Sequence, residues 1–328
     1  MISYRAPWWL PGGNVQTLWA ALAAKRHVGG PPTWRRRRWR TPDGDFVDVD
    51  QAAHDAPAEA PLLVLFHGLE GSSASQYAIA FADFARTHEM AMVVPHFRGC
   101  SGEINLAPRA YHSGDFEEID WILKRLAKAH PSRPLIAVGV SLGGNALLRW
   151  AGEMGGQASQ MAKAVAAVCS PLDLAAGGHA IGRGFNRLVY TRMFLNSMVP
   201  KALKKLEQHP GLFDREALLS ARDLYAFDNI FTAPLHGFRD TEDYWARASA
   251  KPVLADIRIP ALALNALNDP FVPSDSLPKA SEAGPRVCLW QPPEGGHVGF
   301  PVPSGPFGFP GHVRAMPHAV GQWLLAQL

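Results

Sequence analysis

The chain has 328 residues, 47% of them hydrophobic and 19% charged, with 32 Lys and Arg against 29 Asp and Glu. A chain of that size and composition buries a core without disulfide or metal staples, and a net charge of +3 points to no nucleic-acid or acidic-membrane partner. Cys100, Cys169 and Cys288 stand far apart with no C-x-x-C pair; neither a zinc site nor a redox motif is expected, and the odd count suits a reducing compartment.

From the start of the chain, Met1 to Trp9 shows no basic stretch followed by an apolar core, so no signal peptide is expected. No apolar run approaches the roughly 20 residues that span a bilayer. These two readings predict a cytoplasmic protein. Trp34 to Arg40 and Phe46 to Asp50 flank Thr41-Pro42-Asp43-Gly44-Asp45, a hairpin turn signal. The basic run Arg35 to Arg38 lies in the first of these strands. It reads as a charge-guarded edge strand and not as a nucleic-acid patch, because no second basic cluster or aromatic platform accompanies it.

The apolar run Leu62 to Phe66 predicts a buried strand. Tyr77, Phe81 and Phe84 are spaced for a helix over Ser75 to His88, and a second buried strand follows at Met90 to Pro95. Ile119, Ile122, Leu123 and Leu126 give Phe116 to Ala129 one apolar face. Leu135 to Val140 reads as a strand, Gly143 to Glu153 as the helix after it, and Ala164 to Val168 as a fourth buried strand. The alternation then breaks, and about 172–252 is helical without clear strands. It resumes with strands at Ala261 to Leu267 and Arg286 to Trp290 and ends in a helix near Val313 to Leu328. Buried strands alternating with amphipathic helices predict an α/β fold: a mostly parallel central sheet with helices on both faces. A single domain over residues 1–328 is expected. Its helical cap, at 172–252, would sit over the carboxyl ends of the strands, where ligands bind.

Gly139-Val140-Ser141-Leu142-Gly143 is a G-x-S-x-G nucleophile elbow, with a strand before it and a helix after it. The serine must stand at the apex of a strained turn, and glycines two residues to either side avoid a clash. The helix N-terminus adds partial positive charge beneath a developing oxyanion. In this fold the loop after the third strand, here His67-Gly68-Leu69, donates one backbone N–H to the oxyanion hole, and the residue after the nucleophile donates the other. Those donors are Leu69 and Leu142, and the His67 side chain is expected to order the loop.

The acid should follow the strand after the insertion, which selects Asp269. Asp256 lies at the wrong end of that strand, and Asp275 reads as the cap of a helix beginning near Ser276. The base should follow the last strand, and His297 stands there between Gly295-Gly296 and Gly299. His312 and His318 belong in or beside the final helix. The chain order Ser141, Asp269, His297 is the one this fold uses. In the insertion, Phe185, Tyr190, Met193, Phe194 and Met198 fall at roughly helical spacing. They pack the cap against the sheet or line an acyl-chain pocket, and Phe185, Tyr190, Met193 and Phe194 are the candidate substrate contacts. Arg98, Asn105, Arg109, His112 and Asp115 read as a hydrogen-bonded structural loop, and Cys100 as a small buried hydrophobe.

Several motifs together resemble the YheT-like hydrolases, the AB hydrolase 4 family. They are His67 to Ser73 (HGLEGSS), Phe97 to Gly102 (FRGCSG), Tyr111 to Asp115 (YHSGD), Gly139 to Asn145 (GVSLGGN), Thr232 to Phe238 (TAPLHGF) and Gly296 to Phe300 (GHVGF). Pro11 to Leu18 (PGGNVQTL) fits as well, with Asn14 where the family more often has histidine. The resemblance runs from about Trp8 to Leu328. It implies carboxylic ester hydrolysis, with simple acyl esters, acylglycerols or phospholipids as substrates, and in some members acyl transfer to alcohols.

The expected activity is that of a serine esterase working through an acyl-enzyme. Its substrate would be a small acyl ester, short- to medium-chain or acylglycerol-like. No cofactor, metal, nucleic acid or integral membrane segment is implied, though transient lipid contact is compatible with such a substrate. A serine at the elbow excludes a haloalkane dehalogenase, which needs aspartate there. An acyltransferase would share every catalytic residue and differ only in its acceptor, and a catalytically silent binding protein is the non-enzyme alternative.

Overall fold

The structure, a computed structural model, describes residues 4–304 and 311–328. Of the N-terminal stretch read above for a signal peptide, residues 1–3 lie outside that range. Eight strands form one sheet: β1 (Trp34–Arg40), β2 (Phe46–Ala52), β3 (Leu62–Phe66), β4 (Ala91–Pro95), β5 (Leu135–Val140), β6 (Ala164–Val168), β7 (Ala261–Leu264) and β8 (Val287–Trp290). Their order is β1-β2-β4-β3-β5-β6-β7-β8. The pairings β1–β2 and β2–β4 are antiparallel, and those from β4 through β3, β5, β6 and β7 to β8 are parallel.

The basic run of β1 is explained by its neighbour. In the hairpin register Arg36 faces Asp50 and Arg38 faces Asp48. Each guanidinium holds its carboxylate by two hydrogen bonds, 2.7 and 2.9 Å for Arg36 and 2.8 Å twice for Arg38. The charges therefore cover buried aspartates at the sheet's edge, as a cross-strand pair does.

Alternation along the strands feeds two cores. Leu62, Val64 and Phe66 point to one face, covered by α3 (Phe116–Ala129) and α4 (Leu142–Met154); Leu63 and Leu65 point to the other, covered by α2 (Gln76–Thr87) and α12 (Ala315–Leu325). Burying the continuous apolar strands of a parallel sheet from both sides contributes roughly 1.5–3 kcal/mol per large side chain. Two sequence expectations shift. The strand at Ala261 ends at Leu264, so Asn265 to Leu267 are released to turn towards Asp269. A helix α1 (Gly12–Leu22) stands where none was read; Gly12 and Gly13 obscure it, and a Cβ on Gly13 would lie 1.8 Å from the Asn268 carbonyl oxygen.

Between β6 and β7 the chain is helical. It passes through α5 (Leu174–Ile181), α6 (Gly184–Asn186), a π-helical turn at Arg187–Thr191, α7 (Arg192–Gln208), α8 (Arg215–Ser220), α9 (Leu224–Phe227), a second π turn at Asp228–Thr232, α10 (Ala233–Leu235) and α11 (Thr241–Ala248). Four aspartates start four of these helices: Asp173, Asp214, Asp223 and Asp240 each accept a backbone N–H from the first turn. Such a cap is worth about 1 kcal/mol. Among the described residues no helix is long and apolar enough to cross a membrane.

Candidate active site

Ser141 stands on the turn from β5 into α4 with φ 53° and ψ −119°, outside the regions an L-residue prefers. The flanking glycines are demanded by backbone, not by side chains. A Cβ on Gly139 would lie 2.4 Å from the Gly143 carbonyl oxygen, and one on Gly143 would lie 2.4 Å from that of His67. The strained turn is held because the strands on both sides fix it: Ser141 N–H donates to the Val168 carbonyl at 2.8 Å.

His297 Nε2 lies 3.0 Å from Ser141 Oγ, and its Nδ1 lies 2.9 Å from Asp269 Oδ2. Asp269 is buried, and its Oδ1 also accepts the N–H of Phe271 at 2.8 Å and of Val272 at 3.3 Å. A carboxylate anchored by backbone donors keeps its orientation and presents its free oxygen to the imidazole. Phe271 covers the other side, its ring 4.2 Å from that of His297. The structure thus brings together the serine, histidine and aspartate picked from the sequence. Asp275 lies inside a single 3₁₀ turn at Ser274–Ser276 and accepts no capping bond among the described residues, which corrects its reading as a helix cap.

Leu69 and Leu142 stand beside the serine. His67 is fully buried and its imidazole is pushed down to about 3, by burial first, so it stays neutral. In that form Nδ1–H donates to the Gly68 carbonyl at 2.8 Å while Nε2 accepts the Phe97 N–H at 3.0 Å. Gly68 N–H donates to Tyr77 Oη at 2.9 Å, Glu70 N–H to Tyr111 Oη at 3.0 Å, and Gly71 N–H to the Gly68 carbonyl at 2.9 Å. Leu69 is the one residue from 68 to 71 whose N–H has no partner among the described residues. Leu142, first in α4, likewise has no partner for its N–H among the described residues, as helix starts do.

Three features were not read from the sequence. The first is a brace from α1. Thr17 Oγ1 accepts the His297 N–H at 2.8 Å, and Gln16 Oε1 accepts the Gly295 N–H and the Asn268 side-chain amide, both at 3.0 Å. One helix so fixes both the loop that carries His297 and the loop that carries Asp269. The only sequence signal was the motif at Pro11 to Leu18, where Asn14 drew attention; Asn14 instead accepts from Tyr190 Oη at 3.0 Å. The second is Cys169. It is buried with φ 50°, and its sulfur accepts the Val298 N–H at 3.2 Å. Its thiol, Asp269 and His297 place ligand-type atoms within 4.8 Å of one another, but the carboxylate and imidazole are engaged with each other, and burial holds the thiol well above its usual range.

The third is Glu70, which follows Leu69 with φ 57°. Its carboxylate accepts from Tyr111 Oη at 3.0 Å, Ser197 Oγ at 2.5 Å and Lys201 Nζ at 2.8 Å. Ser197 and Lys201 lie one turn apart on α7, so the insertion is tied directly to the loop bearing the Leu69 N–H.

A pocket open to solvent lies over Ser141 and His297. Its apolar wall comes from the insertion: Ile181, Phe194, Met198, Leu224, Phe227 and Phe231. Of the four candidate contacts in this segment, Phe194 lines the pocket. Tyr190 is buried behind it against Phe271, with ring centroids 4.5 Å apart. Phe185 and Met193 face outward, 50% and 54% exposed. The loop after β4 is hydrogen-bonded, as expected: Arg98 holds Asp43, Asp45 and Glu118, and Arg109 holds Asp115. Arg98, Asn105 and His112 from this loop also reach the pocket. Cys100 packs half-buried against the core.

A mostly parallel sheet in this strand order, with a serine at the sharp turn after its central strand and a histidine and an aspartate beyond later strand ends, defines an α/β hydrolase. The chain belongs to that family, matching the alpha/beta hydrolase fold over residues 61–303. Within it the chain is a YheT-like hydrolase. It is 39% identical over 290 residues to YheT of Escherichia coli (strain K12), which carries the name of an esterase; the match covers 88% of this chain and 84% of that protein. It is 30% identical over 281 residues to Phospholipase ABHD3 of Mus musculus, covering 82% of this chain and 67% of that one. The Pyrococcus furiosus esterase Pf2001 shares the fold with a TM-score of 0.54 at 14% identity, over 93% of this chain and 96% of that one.

Proposed function

We propose that the protein is a serine hydrolase of carboxylic esters, with Ser141 as nucleophile, His297 as general base and Asp269 as the residue that orients it. The observation that carries this reading is the continuous path Ser141 Oγ–His297 Nε2 at 3.0 Å and His297 Nδ1–Asp269 Oδ2 at 2.9 Å. Beside it lie two backbone N–H groups, Leu69 and Leu142, with no other partner among the described residues. Ser141 Oγ attacks the ester carbonyl as its proton passes to His297 Nε2. The carbonyl oxygen gains charge between the two N–H groups, and each such donor contributes on the order of 100- to 1000-fold in rate. His297 then protonates the departing alcohol, and a water activated by the same nitrogen cleaves the acyl-enzyme.

The substrate is an acyl ester of short to medium chain or an acylglycerol-like lipid. The acyl chain lies along the apolar wall at Phe194, Met198 and Phe231, with Tyr190 as its backing. The helices at 172–252 serve as the cap that supplies this wall. The names of the relatives, an esterase and a phospholipase, agree with ester chemistry. Hydrolysis of p-nitrophenyl esters from acetate to palmitate tests the reading. Wild type should turn over a subset of the series and Ser141→Ala should lose at least about 10⁴-fold. Equal rates in the two proteins would remove Ser141 from the reaction. Formation of a new ester when an alcohol is added would mark the acyltransferase instead.

A further inference from the structure

From Leu174 to Leu206 the chain carries Arg183, Arg187, Arg192, Lys201, Lys204 and Lys205 and not one acidic residue. The structure divides these cations. Lys201 is paired with Glu70, and Lys205 is buried on the carbonyls of Asn105 and Ala107. Lys204 is exposed farther along α7. Arg183, Arg187 and Arg192 are exposed, and none of them forms an ion pair or hydrogen bond to a side chain among the described residues. Between them protrude Phe185, Leu188 and Met193, 50%, 73% and 54% exposed.

All six lie on or at the start of the helical run through α6, the first π turn and α7. That run has a second, inward side. Asn186 donates to the Pro270 carbonyl at 2.6 Å and Thr191 to the Ile181 carbonyl at 2.6 Å. Tyr190, Phe194 and Met198 are packed within the cap or over the pocket. The anchored side fixes the other one outward, with arginines and single large apolar side chains interleaved.

We infer that this outer face docks the protein on an anionic lipid surface, with Phe185, Leu188 and Met193 entering the acyl boundary and Arg183, Arg187 and Arg192 at headgroup level. Apolar side chains that stand singly between cations form no groove for a folded partner, whereas a fluid interface accommodates each one separately. Arginine stems lie along apolar surface while their heads stay at the phosphates. Each arginine near an anionic bilayer contributes on the order of fivefold in affinity, within a Debye length of the surface. The inference does not rest on the ester chemistry.

The test uses Ser141→Ala protein and sucrose-loaded vesicles, either of phosphatidylcholine alone or of phosphatidylcholine and phosphatidylglycerol in equal parts. Sedimentation with the anionic vesicles is expected, reversed by salt. The triple variant Arg183→Gln, Arg187→Gln, Arg192→Gln should bind at least about tenfold more weakly, and Leu188→Ser should also weaken binding. Both alter exposed side chains, so unchanged thermal midpoints should show that each remains folded. Absent binding, equal binding to the two compositions, or binding untouched by the charge variant would overturn the inference. So would a concentration-dependent dimer, seen without vesicles and lost in Leu188→Ser, since the face would then belong to a second copy of the chain.

Discussion

The pocket is walled by two regions that hold their side chains by different means. On the sheet side Ser141, Asp269 and His297 stand beyond strand ends, and their backbone is fixed by neighbouring strands, by α1 and by close-packed glycines. On the insertion side the wall is built from α7, several shorter helices and two π turns, joined by apolar contacts. Rigid placement suits bond making, where an error of 1 Å costs about a hundredfold. A wall of helices tied at a few points suits choosing among substrates. Chemistry should therefore fail sharply when the first region is altered, and selectivity should drift when the second is.

The largest effect expected is at the sheet. Asp269→Asn should lower kcat by about 10⁴-fold with little change in KM, because an amide favours the wrong imidazole tautomer. Steady-state kinetics on a p-nitrophenyl ester would show it. Thr17→Val removes the acceptor for the His297 N–H and touches no reacting atom; roughly tenfold in kcat is expected, with KM unmoved. A loss confined to KM would mean that α1 shapes the pocket and not the base loop. On the insertion side, Phe194→Ala should raise KM severalfold for long acyl esters and leave acetate turnover within about twofold. An equal loss for both esters would erase the contrast between the regions.

The smallest effect concerns stability. Asp228, in the second π turn, accepts from Trp245 Nε1 at 2.9 Å, and burial, the largest cause, raises its carboxyl from 3.8 to about 6. As pH rises from about 4 to about 6 the unfolded chain gives up this proton while the folded one still holds it, so stability falls over that window. Asp228→Asn keeps an acceptor for Trp245 and should raise stability by about 1–2 kcal/mol at neutral pH, with the gain vanishing below about pH 4. Thermal unfolding across that range would check the sign.

The same contrast governs what could be read in advance. The alternation of buried strands and helices, the elbow at Ser141 and the strand-end positions of Asp269 and His297 all leave local marks, because a strained turn needs glycine and a parallel strand needs an apolar run. The braces at Gln16 and Thr17 leave none, since their partners lie far along the chain and a neutral polar residue on a short helix looks like any solvated face. In the insertion, periodicity found the helix but not its orientation. The helix carries large apolar residues on both sides, so Phe194 and Met198 cannot be told from Phe185 and Met193 by spacing alone.

The brace from α1 also sets an order of events in synthesis. Gln16 and Thr17 leave the ribosome well before the loop they brace, since Thr17 precedes its partner His297 by 280 residues. Until that loop is made, His297 cannot take its place beside Ser141. The same joint is a point of failure in the finished protein: a protease that nicks the early segment between α1 and the sheet could silence the enzyme without touching a residue that reacts.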